Sequence, residues 1–360
     1  MRLGILGGGQ LAMMMIKESS GFGIEFIVVD PADNPPASKY AKHIQSEYND
    51  KKTLDHLKES CDIITIDFEN VQADALEYLE SRLKVFPKFS SLKICQDRLE
   101  EKNLFLENNI LTTKFKEVNS KSDLKNAISY LGTDSILKSR KFGYDGKNQI
   151  HIKNQDLENI WKQYQDIPCI LEKRVDYKTE LSIIAIRTQQ KDIFFYPLVE
   201  NFHKKGILNY SIAPYINNEL QNQAELISKK IMNSLDYTGV LVVELFLDKN
   251  DNLLANEIAP RVHNSGHWTI EGCDINQFQA HIGAIIGHEN LEPKVLKKSA
   301  MINLLSKFPD IEKLKEVENI KIYNYGKSER VNRKLGHVTI IDDNADSLNK
   351  KLDYLKKIIF

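Results

Sequence analysis

Cysteine is scarce in this chain, and long apolar runs are missing from it. The four cysteines lie far apart and form no C-x-x-C pair, which excludes a disulfide framework and a zinc site of the usual spacing: Cys61, Cys95, Cys169 and Cys273. This usage is typical of a reduced setting, so a cytoplasmic protein is predicted. No stretch reaches the roughly 18 consecutive apolar residues of a membrane-spanning helix, and no membrane partner is expected.

An excess of charge of either sign is also absent. The 49 basic and 50 acidic residues leave a formal net charge of −1, which argues against a general nucleic-acid or membrane-surface role. With 360 residues, 42% hydrophobic and 28% charged, the chain is of the globular class and long enough for two or three domains. Glycines at positions 7–9 interrupt the apolar start, so no signal peptide is predicted. Small-molecule chemistry is the function class that remains.

A glycine-rich turn near the N-terminus imitates a dinucleotide-binding fingerprint. A short apolar strand at residues 3–6 leads into it, and Gly7, Gly9 and Ala12 match G-x-G-x-x-G/A, with Asp30 about twenty residues further on. Glycines are needed wherever a strand turns tightly into a helix, whether or not a dinucleotide binds. The motif therefore indicates a βαβ unit and supports nicotinamide binding only weakly.

Alternating strands and helices over the first 90 residues predict a doubly wound domain, in which ligands bind beyond the carboxyl ends of the strands. Glu69 lies at such an end, after a strand predicted at residues 63–68 and before a helix at 73–82. It is a candidate functional carboxylate, and a charge that stabilises a helix N-terminus is the alternative interpretation.

A cationic glycine loop follows in the middle of the chain. Residues 139–148 lie between strands predicted at 135–138 and 149–152, and Lys138 and Lys147 add positive charge. Backbone N–H groups of such a loop can bind phosphates, although the spacing is not that of a P-loop. An exposed hairpin with solvated lysines is the alternative.

Two further segments are candidates for nucleotide contacts. The strand at residues 169–175 ends in a Glu-Lys-Arg-Val run whose backbone groups can face an adenine edge. His203 is predicted in the loop after a strand at residues 194–200, where a solvated surface histidine is the commoner case. The apolar spacing of residues 219–235 predicts an amphipathic helix that belongs to the core.

Two apolar runs at residues 240–247 and 253–258 flank a turn and predict a β-hairpin. A turn centred between Asn250 and Asp251 places Glu244 directly opposite Glu257. Like charges at that separation are destabilising, so the pair predicts a bound cation. Carboxylate, phosphate and water oxygens are the usual ligands of Mg²⁺ at a nucleotide site. Solvated glutamates on an ordinary hairpin edge are the alternative.

Polar and basic segments follow the hairpin. Arg261, His263 and Asn264 form a dense polar loop that suits a substrate anion. Helices are predicted at residues 276–286 and 345–359, and a polar helix is predicted earlier in the chain, at residues 90–109 after Pro87. A basic loop at residues 325–337 either binds a phosphate or is simply solvated.

These segments together resemble one family. The chain is similar to the ATP-grasp superfamily over most of its length, and to 5-(carboxyamino)imidazole ribonucleotide synthases in particular. Six blocks in family order carry the resemblance: GGGQL at 7–11, DFENV at 67–71, QDRLEEK at 96–102, LKSRKFGYDGKNQ at 137–149, NEIAPRVHNSGHWTIEGC at 256–273 and NRKLGH at 332–337.

The resemblance implies a reaction and an architecture. The reaction is ATP- and bicarbonate-dependent carboxylation of 5-aminoimidazole ribonucleotide through carboxyphosphate, by a cytoplasmic homodimer. The fold class is α/β, with a doubly wound domain at residues 1–95, an ATP-grasp domain at 96–290 that includes a lid at about 115–177, and a small C-terminal α/β domain at 291–360.

The resemblance also implies site residues. Magnesium is expected at Glu244 and Glu257, the anion at Arg261, His263, Asn264 and Glu69, and the ribonucleotide at Tyr144, Asp145, Arg261, Lys327, Arg333 and Lys334. Asp145 is also expected to take part in catalysis. The ATP contacts form a longer set: Arg98, Lys138, Gly143, Tyr144, Asp145, Gly146, Lys147, Asn148, Gln149, Glu172, Lys173, Arg174, Val175, Glu180, His203, Asn256 and Glu257.

The sequence departs from the family pattern in a few places. Ala12 and Met13 stand where members often have glycine and arginine, and Asn148 stands where a third glycine is usual. Three other classes remain as rivals: a nicotinamide-dependent dehydrogenase, a formate-using transformylase of the same superfamily, and a non-catalytic nucleotide-binding protein. A dehydrogenase leaves the paired glutamates unexplained, and a binding module leaves the polar loop after them unexplained.

Overall fold

The computed structural model describes residues 1–141, 143, 148–153 and 156–360. Its first unit is a parallel five-stranded sheet in the order β3-β2-β1-β4-β5. The three central strands, β1, β2 and β4, are short and mostly apolar, as expected where helices cover both faces of a parallel sheet, while the edge strand β3 is polar and partly exposed. The strands and helices are β1 (Arg2–Leu6), α1 (Gln10–Glu18), β2 (Glu25–Asp30), β3 (Lys42–Gln45), α2 (Lys51–Ser60), β4 (Ile63–Ile66), α3 (Ala73–Glu80), β5 (Lys84–Val85) and α4 (Phe89–Cys95). The predicted doubly wound domain is confirmed.

Helix α5 (Arg98–Glu107) leads into a second, four-stranded sheet in the order β6-β9-β7-β8. Its elements are β6 (Phe115–Val118), α6 (Lys121–Leu131), β7 (Ser135–Ser139), β8 (Gln149–His151), α7 (Leu157–Tyr164) and β9 (Cys169–Lys173). The two helices pack on the sheet through a small core that includes Leu124, Leu137, Ile160 and Leu171. This unit falls in the region where a lid is predicted.

The largest sheet contains nine strands, in the order β15-β14-β10-β12-β13-β16-β18-β17 with β11 paired to β10. Its elements are β10 (Tyr177–Arg187), β11 (Ile193–Phe195), β12 (Val199–Lys204), β13 (Ile207–Ala213), α8 (Asn218–Ser234), β14 (Gly239–Asp248), β15 (Leu253–Ala259), α9 (Thr269–Gly272), α10 (Gln277–Ile286), β16 (Lys298–Leu305), α11 (Ile311–Lys315), β17 (Ile320–Asn324), β18 (Lys334–Asp342) and α12 (Ala345–Ile359). The C-terminal strands thus extend the central sheet through the pairing of β13 with β16.

The two faces of this sheet have different roles. One face carries Leu181, Val243 and their neighbours against α8, and farther along it packs against α12. The other face carries Ser182, Glu244 and Glu257, which are paired side by side across three strands. Residues directly opposite each other on adjacent strands point to the same face, so the functional side chains share one surface.

Three predicted elements need correction. The helix expected after Pro87 is two helices, α4 and α5, because Asp97 caps the second one by accepting a hydrogen bond from Leu99 N. The strand predicted at residues 194–200 is interrupted around Pro197, which cannot donate to a sheet ladder. His203 lies inside β12 rather than in a loop, and β13 was not predicted. Among the described residues, no helix has the length and apolarity to cross a bilayer.

Candidate active site

The hairpin of β14 and β15 places Glu244 opposite Glu257, as predicted from the sequence. The register of the hairpin differs from the predicted one, which had no irregularity between the turn and the two glutamates. Near the turn the pairing is Leu247 with Leu253, and it shifts by one residue between Glu244 and Leu245. The extra residue is Asn256, so a β-bulge brings the two carboxylates into register.

Each of these carboxylates has a cationic or imidazole partner. Arg98 Nη1 donates to Glu257 Oε2 at 3.2 Å, and His263 Nε2 lies 3.2 Å from Glu244 Oε1. Burial acts to raise the pKa of Glu244, but the hydrogen bond and charge of His263 outweigh it and lower that pKa to about 2. Glu244 is therefore ionised at neutral pH.

A chain of buried hydrogen bonds fixes the ring of His263. Ser265 N donates to His263 Nδ1 at 3.3 Å, which places the ring proton of the neutral imidazole on Nε2, facing Glu244. Ser265 Oγ also lies 2.9 Å from His263 Nδ1 and 2.9 Å from Ser182 Oγ, and Asn201 Nδ2 donates to Ser182 Oγ at 2.8 Å. In this chain Ser182 Oγ can donate to Ser265 Oγ, and Ser265 Oγ can donate to His263 Nδ1. The imidazole is then a hydrogen-bond donor through Nε2.

Arg261 and Glu69 come together at the start of the same loop. The guanidinium Nε donates to Glu69 Oε2, and Nη1 donates to Val262 O at 2.9 Å. Burial opposes ionisation of Glu69, but Arg261 lowers the pKa of this carboxyl to about 2. The sequence allowed two interpretations of Glu69, a charge at a helix N-terminus or a residue of the site. In the structure it is the partner of Arg261, which lies in the predicted anion-binding loop.

Asn264 lies in the same loop, and its side-chain amide is buried without a hydrogen-bond partner at either atom in the described part of the chain. Buried amides normally have partners, so an unsatisfied one beside cationic and imidazole groups suits a polar ligand. Two other polar residues of the loop, Ser265 and His267, are interior instead. His267 packs 4.7 Å from the ring of His337, and burial holds its pKa well below the ordinary value.

Lys138 and Glu172 form a buried ion pair on adjacent strands of the four-stranded sheet, with Nζ 2.7 Å from Oε2. Burial raises the pKa of Glu172, but Lys138 and Lys102 lower it to about 2. Two backbone N–H groups of the 172–175 segment already have partners within the chain: Lys173 N donates to Lys114 O, and Arg174 N donates to Asp134 O. Arg174 and Val175 lie in the connection from β9 to β10.

Glu180 and His203 form a second pair, on neighbouring strands of the central sheet. Burial alone lowers the pKa of His203, but the contact with Glu180 and the charge of Glu244 raise it overall. A solvated surface histidine is therefore the wrong interpretation of His203. Its side chain belongs to the same polar surface as the paired glutamates.

The central glycine loop is described only in part. Tyr144, Asp145, Gly146 and Lys147 lie outside the described residues. Gly143 O accepts a hydrogen bond from Arg98 Nη2 at 3.4 Å, and Gln149 pairs with Lys138 in the sheet. Asn148 has φ 54, a left-handed conformation that glycine adopts easily and asparagine tolerates, which accounts for asparagine at a position where the family often has glycine.

The three basic residues of the predicted C-terminal loop have different surroundings, and Lys334 is the first residue of β18 rather than part of a loop. Lys327 Nζ donates to Gln10 Oε1 in α1, while Arg333 Nη1 donates to Ser328 Oγ at 2.8 Å. Burial lowers the pKa of Lys327 to about 8, against the opposing charge of Asp67. The charge of Lys334 acts on both His203 and Glu244, so this residue is close to the hairpin end of the site.

The N-terminal glycine turn is occupied by carboxylates of the chain itself. Asp67 accepts hydrogen bonds from Gly9 N at 2.6 Å and Ala12 N at 2.7 Å, and Asp30 accepts from Gly8 N at 2.7 Å. A Cβ on Gly9 would lie 2.3 Å from Asp67 Oδ2. The glycines therefore permit the close approach of Asp67, and the N–H groups that a pyrophosphate would need are already used. This geometry argues against a dehydrogenase.

The paired glutamates fit a hard divalent cation in part. They are ionisable, lie on one face and keep 25% and 39% of their side-chain surface exposed. No group of three or more acidic, histidine or cysteine side chains in the described ranges is arranged to hold a metal by itself. Two carboxylates with substrate phosphates and water completing the set is the usual manner of binding Mg²⁺.

Sequence reasoning missed several residues of this site, notably Ser182, Asn201 and Asp67. A weak signal was available for the first of them. The strand ELSIIAI has polar residues at Glu180 and Ser182, two apart, which predicts that both point to one face. No comparable signal links Asn201 or Asp67 to its partner, because those contacts join segments far apart in the chain.

The nine-stranded sheet with an opposed carboxylate pair, a cationic glycine loop and a separate small sheet defines an ATP-grasp enzyme. The ATP-grasp domain family matches residues 103–278, the ribonucleotide synthetase preATP-grasp domain matches 1–96, and the phosphoribosylaminoimidazole carboxylase C-terminal domain matches 299–351. The predicted fold class is confirmed by these matches.

More narrowly, the chain belongs to the N5-carboxyaminoimidazole ribonucleotide synthase family. It is similar to the synthase of Pseudomonas aeruginosa, with 36% identity over 360 residues that cover 100% of this chain and 99% of the relative. The crystal structure of the synthetase from Thermus thermophilus has a TM-score of 0.93 at 35% identity, over 99% of this chain and 98% of that one. A synthase from Aspergillus clavatus in complex with ADP and 5-aminoimidazole ribonucleotide has a TM-score of 0.91 at 28% identity, over 99% and 98%.

The predicted function is confirmed by this membership. The chain is an ATP-grasp ligase of purine biosynthesis that carboxylates 5-aminoimidazole ribonucleotide at the expense of ATP.

Proposed function

We propose that the carboxylation proceeds through carboxyphosphate at the polar face formed by the hairpin and the loop that follows it. A bicarbonate oxygen attacks the γ-phosphorus of ATP, the bond to the bridging oxygen breaks, and ADP leaves. The exocyclic amine of the ribonucleotide then bonds to the carboxyphosphate carbon, phosphate leaves, and the amine gives up a proton. The observation that supports this site best is the composition of the loop after the hairpin. It carries Arg261 paired with Glu69, His263 in contact with Glu244 opposite Glu257, and the unsatisfied buried amide of Asn264.

Arg261, His263 and Asn264 are assigned to the bicarbonate and carboxyphosphate. Arg261 supplies positive charge and is oriented by Glu69. His263 has Nδ1 engaged by Ser265 and Nε2 facing Glu244, so it can donate a hydrogen bond from Nε2. Asn264 offers both a donor and an acceptor, which suits a ligand with a carbonyl oxygen and a hydroxyl.

The nucleotide is assigned to the surface between the two sheets. Arg98 touches both Gly143 of the glycine loop and Glu257 of the hairpin, so it is placed to neutralise phosphate charge between them. Lys138, which is paired with Glu172, is assigned to the same nucleotide surface. The pair of Glu180 and His203 is assigned to it as well. Tyr144 to Lys147 are assigned to the phosphates and the ribonucleotide on the resemblance alone, together with Asn148 and Gln149, and so is the 172–175 segment to the adenine.

Mg²⁺ is assigned to Glu244 and Glu257, with phosphate and water oxygens as the other ligands. When bound, the ion neutralises the charge on the transferring phosphoryl group. The chain's own contribution is to hold both carboxylates on one rigid face, with Arg98 and His263 beside them. Asn256 is assigned to the same end because its bulge sets that register.

The ribonucleotide is assigned to Lys327, Arg333 and Lys334. Charge-assisted hydrogen bonds from such groups hold a phosphate well. Lys327 joins the C-terminal loop to Gln10 at the N-terminal glycine turn, so a ligand there contacts two units of the fold at once. Lys334 is placed between this phosphate end and Glu244, since its charge acts on Glu244 and His203.

Three further features complete the proposal. The working molecule is a homodimer in the cytoplasm, with domain limits at 1–95, 96–290 and 291–360 and a lid at about 115–177. The four cysteines are free, which agrees with a reducing compartment. Light scattering on the purified chain tests the dimer directly, and a monomer at micromolar concentration would contradict it.

The deciding assay measures ADP release with ATP, Mg²⁺ and bicarbonate, with and without 5-aminoimidazole ribonucleotide. We expect release to depend on bicarbonate and to be stimulated by the ribonucleotide. Stimulation by formate and a formate acceptor instead would assign the chain to the transformylase branch of the superfamily. Tight binding of NAD or NADP, measured by calorimetry, would contradict the closed geometry of the N-terminal glycine turn.

A further inference from the structure

Two neighbouring ionisable side chains of α5 are buried and have no assigned part in the chemistry described above. Glu101 and Lys102 are each only 1% exposed. Charged groups are rarely buried so completely unless they are paired or hydrogen-bonded. Their recorded partners lie together on a single stretch of β15, the edge strand of the nine-stranded sheet.

The contacts fall on three consecutive residues of β15. Lys102 Nζ donates to Asn256 O at 2.7 Å, and Glu101 Oε1 accepts from Ile258 N at 2.6 Å. Between them, Glu257 Oε2 accepts from Arg98 Nη1. Positions 98, 101 and 102 lie three and four residues apart, so they share one face of the helix. One face of α5 therefore contacts the segment of β15 that carries Glu257, the glutamate proposed to bind the metal.

This segment contains the β-bulge. Without the extra residue, the pairing seen near the turn would continue and bring Asn256, rather than Glu257, opposite Glu244. A one-residue slip also moves each side chain to the other face of the sheet, so Glu257 would point away from Glu244. The extra residue of a bulge is left unpaired in the ladder, and Lys102 supplies a partner for the carbonyl of that residue, Asn256. Glu101 supplies a partner for Ile258 N, two positions further along the strand.

We propose that Glu101 and Lys102 are positioning residues that fix the bulge at Asn256 and thereby hold Glu257 opposite Glu244. The inference rests on the proposed role of these two glutamates in binding the metal–nucleotide complex. Neither Glu101 nor Lys102 touches the reacting groups, because both side chains are enclosed. Their effect is exerted through the backbone of β15.

A general role in covering an edge strand is the competing explanation. The neighbouring residue Ala255 is already covered in that way, since its N–H donates to Leu111 O at 2.8 Å and its carbonyl accepts from Thr112 Oγ1 at 2.7 Å. If these residues only cover the edge strand, their replacement should lower the stability of the protein without selectively lowering the affinity that the metal adds to nucleotide binding. The positioning role predicts a selective loss of the affinity that the metal adds to nucleotide binding.

The test measures ADP binding by calorimetry with and without MgCl₂, together with thermal unfolding of the same samples. The variants are Lys102→Met, Glu101→Leu and Glu101→Gln, and the matched control is Lys230→Met. Lys230 Nζ also donates to a backbone carbonyl, Asn108 O at 3.1 Å, but away from the bulge. The measured quantity is the gain in ADP affinity that Mg²⁺ produces.

We expect this gain to fall about tenfold in Lys102→Met and Glu101→Leu, while ADP affinity without Mg²⁺ stays within about twofold of the wild type. Glu101→Gln keeps an oxygen that accepts from Ile258 N and should keep the gain, as should Lys230→Met. Folded Lys102→Met and Glu101→Leu proteins with the full gain would overturn the proposal. If neither variant folds, the result for Glu101→Gln decides. This variant keeps the oxygen that accepts from Ile258 N, so the proposal requires it to keep the Mg²⁺-dependent gain in ADP affinity, and loss of that gain would overturn the proposal.

Glu257→Gln separates this inference from the function on which it rests. If Glu257→Gln keeps the full Mg²⁺-dependent gain, the metal assignment itself is wrong. If Glu257→Gln loses the gain and Lys102→Met keeps it, the metal assignment stands and only the positioning role is refuted.

Discussion

At the scale of single residues, the site is built from ion pairs whose members come from distant parts of the chain. Glu69 and Arg261 are one example, and Arg98 and Glu257 are another. In each pair the cation is placed where phosphate or carboxylate charge is proposed to develop, and its protein partner holds it there. Pre-organised charge of this kind costs no reorganisation during the reaction, which is why such pairs suit phosphoryl transfer.

The first prediction concerns the metal carboxylate. Glu257→Gln keeps the shape of the side chain and relieves the repulsion from Glu244, so the hairpin should fold normally. Turnover should fall at least about a hundredfold, which corresponds to roughly 2.7 kcal/mol of barrier. The control is Glu200→Gln, a strand glutamate on the opposite face that accepts a hydrogen bond from Thr179. Near-normal turnover of folded Glu257→Gln would rule out the metal role.

The second prediction uses the ionisation of Lys327. Because burial lowers its pKa to about 8, its ammonium group loses the proton as the pH rises through that value. The kcat/KM for the ribonucleotide, which reports free-enzyme ionisations, should therefore fall above about pH 8. In Lys327→Met it should be about tenfold lower at pH 7, consistent with one lost charge-assisted hydrogen bond, and should lack that alkaline fall. The KM for ATP is the internal control, and an equal rise in it would refute the assignment to the ribonucleotide.

At the scale of elements, the hairpin shows what sequence pattern can and cannot provide. Two apolar runs around a turn were enough to predict β14, β15 and the opposition of their glutamates. The bulge that produces this opposition was not predictable, since it depends on Lys102 and Glu101 of a helix more than 150 positions away. The ladder position of His203 was missed because its partner strand, β13, was overlooked, although residues 208–212 alternate apolar and polar side chains and so favour a strand.

The N-terminal glycine turn is another element whose role the structure changes. The fingerprint glycines were correctly predicted to form a strand–helix turn, and the sequence could not show that Asp67 occupies their N–H groups. Asp67 follows a later strand of the same sheet, and local patterns carry no information on such contacts. Whatever binds near this turn must be recognised by side chains such as Gln10 and Lys327.

The third prediction tests this turn. Gly9 has φ −72, which alanine adopts without strain, so the cost of Gly9→Ala is steric: its Cβ would lie 2.3 Å from Asp67 Oδ2. Overpacking of this kind costs about 1–3 kcal/mol, which denaturant unfolding can measure. Gly21→Ala is the matched control, because no atom of the described residues lies within 4 Å of the added Cβ. Equal stability of the two variants would show that the contact with Asp67 can relax freely.

At the scale of the whole molecule, His281 joins two sheets that belong to different units of the fold. Val240 N, at the start of β14, donates to His281 Nδ1 at 3.1 Å. The ring proton is therefore on Nε2, which lies 2.9 Å from Thr65 Oγ1 in β4 of the N-terminal sheet. The imidazole must stay neutral to make both contacts, and burial accordingly lowers its pKa to about 4.

The last prediction follows from this neutral bridge. The folded pKa of His281 lies below its ordinary value of 6.5, so the unfolded chain binds a proton that the folded chain does not. Its contribution to stability is fully present above about pH 6.5 and is lost as the pH falls toward 4. The ion-paired carboxylates behave differently: the pKa of both Glu69 and Glu172 is lowered to about 2, so their contribution is lost only below about pH 4.5.

Other groups of the unfolded chain also take up protons between pH 6.5 and 4.5, including His337, whose folded pKa burial lowers to about 3, so a variant must be compared with the wild type. His281→Asn keeps an acceptor for Val240 N and cannot be protonated. The free energy of unfolding should therefore fall less steeply with decreasing pH in this variant, by about 1.4 kcal/mol per pH unit, which corresponds to one proton. Urea unfolding at pH 6.5, 5.5 and 4.5 measures the two slopes, with the surface variant His56→Asn as the control. Equal slopes for His281→Asn and the wild type would mean that the bridge between the two sheets tolerates a charged imidazole.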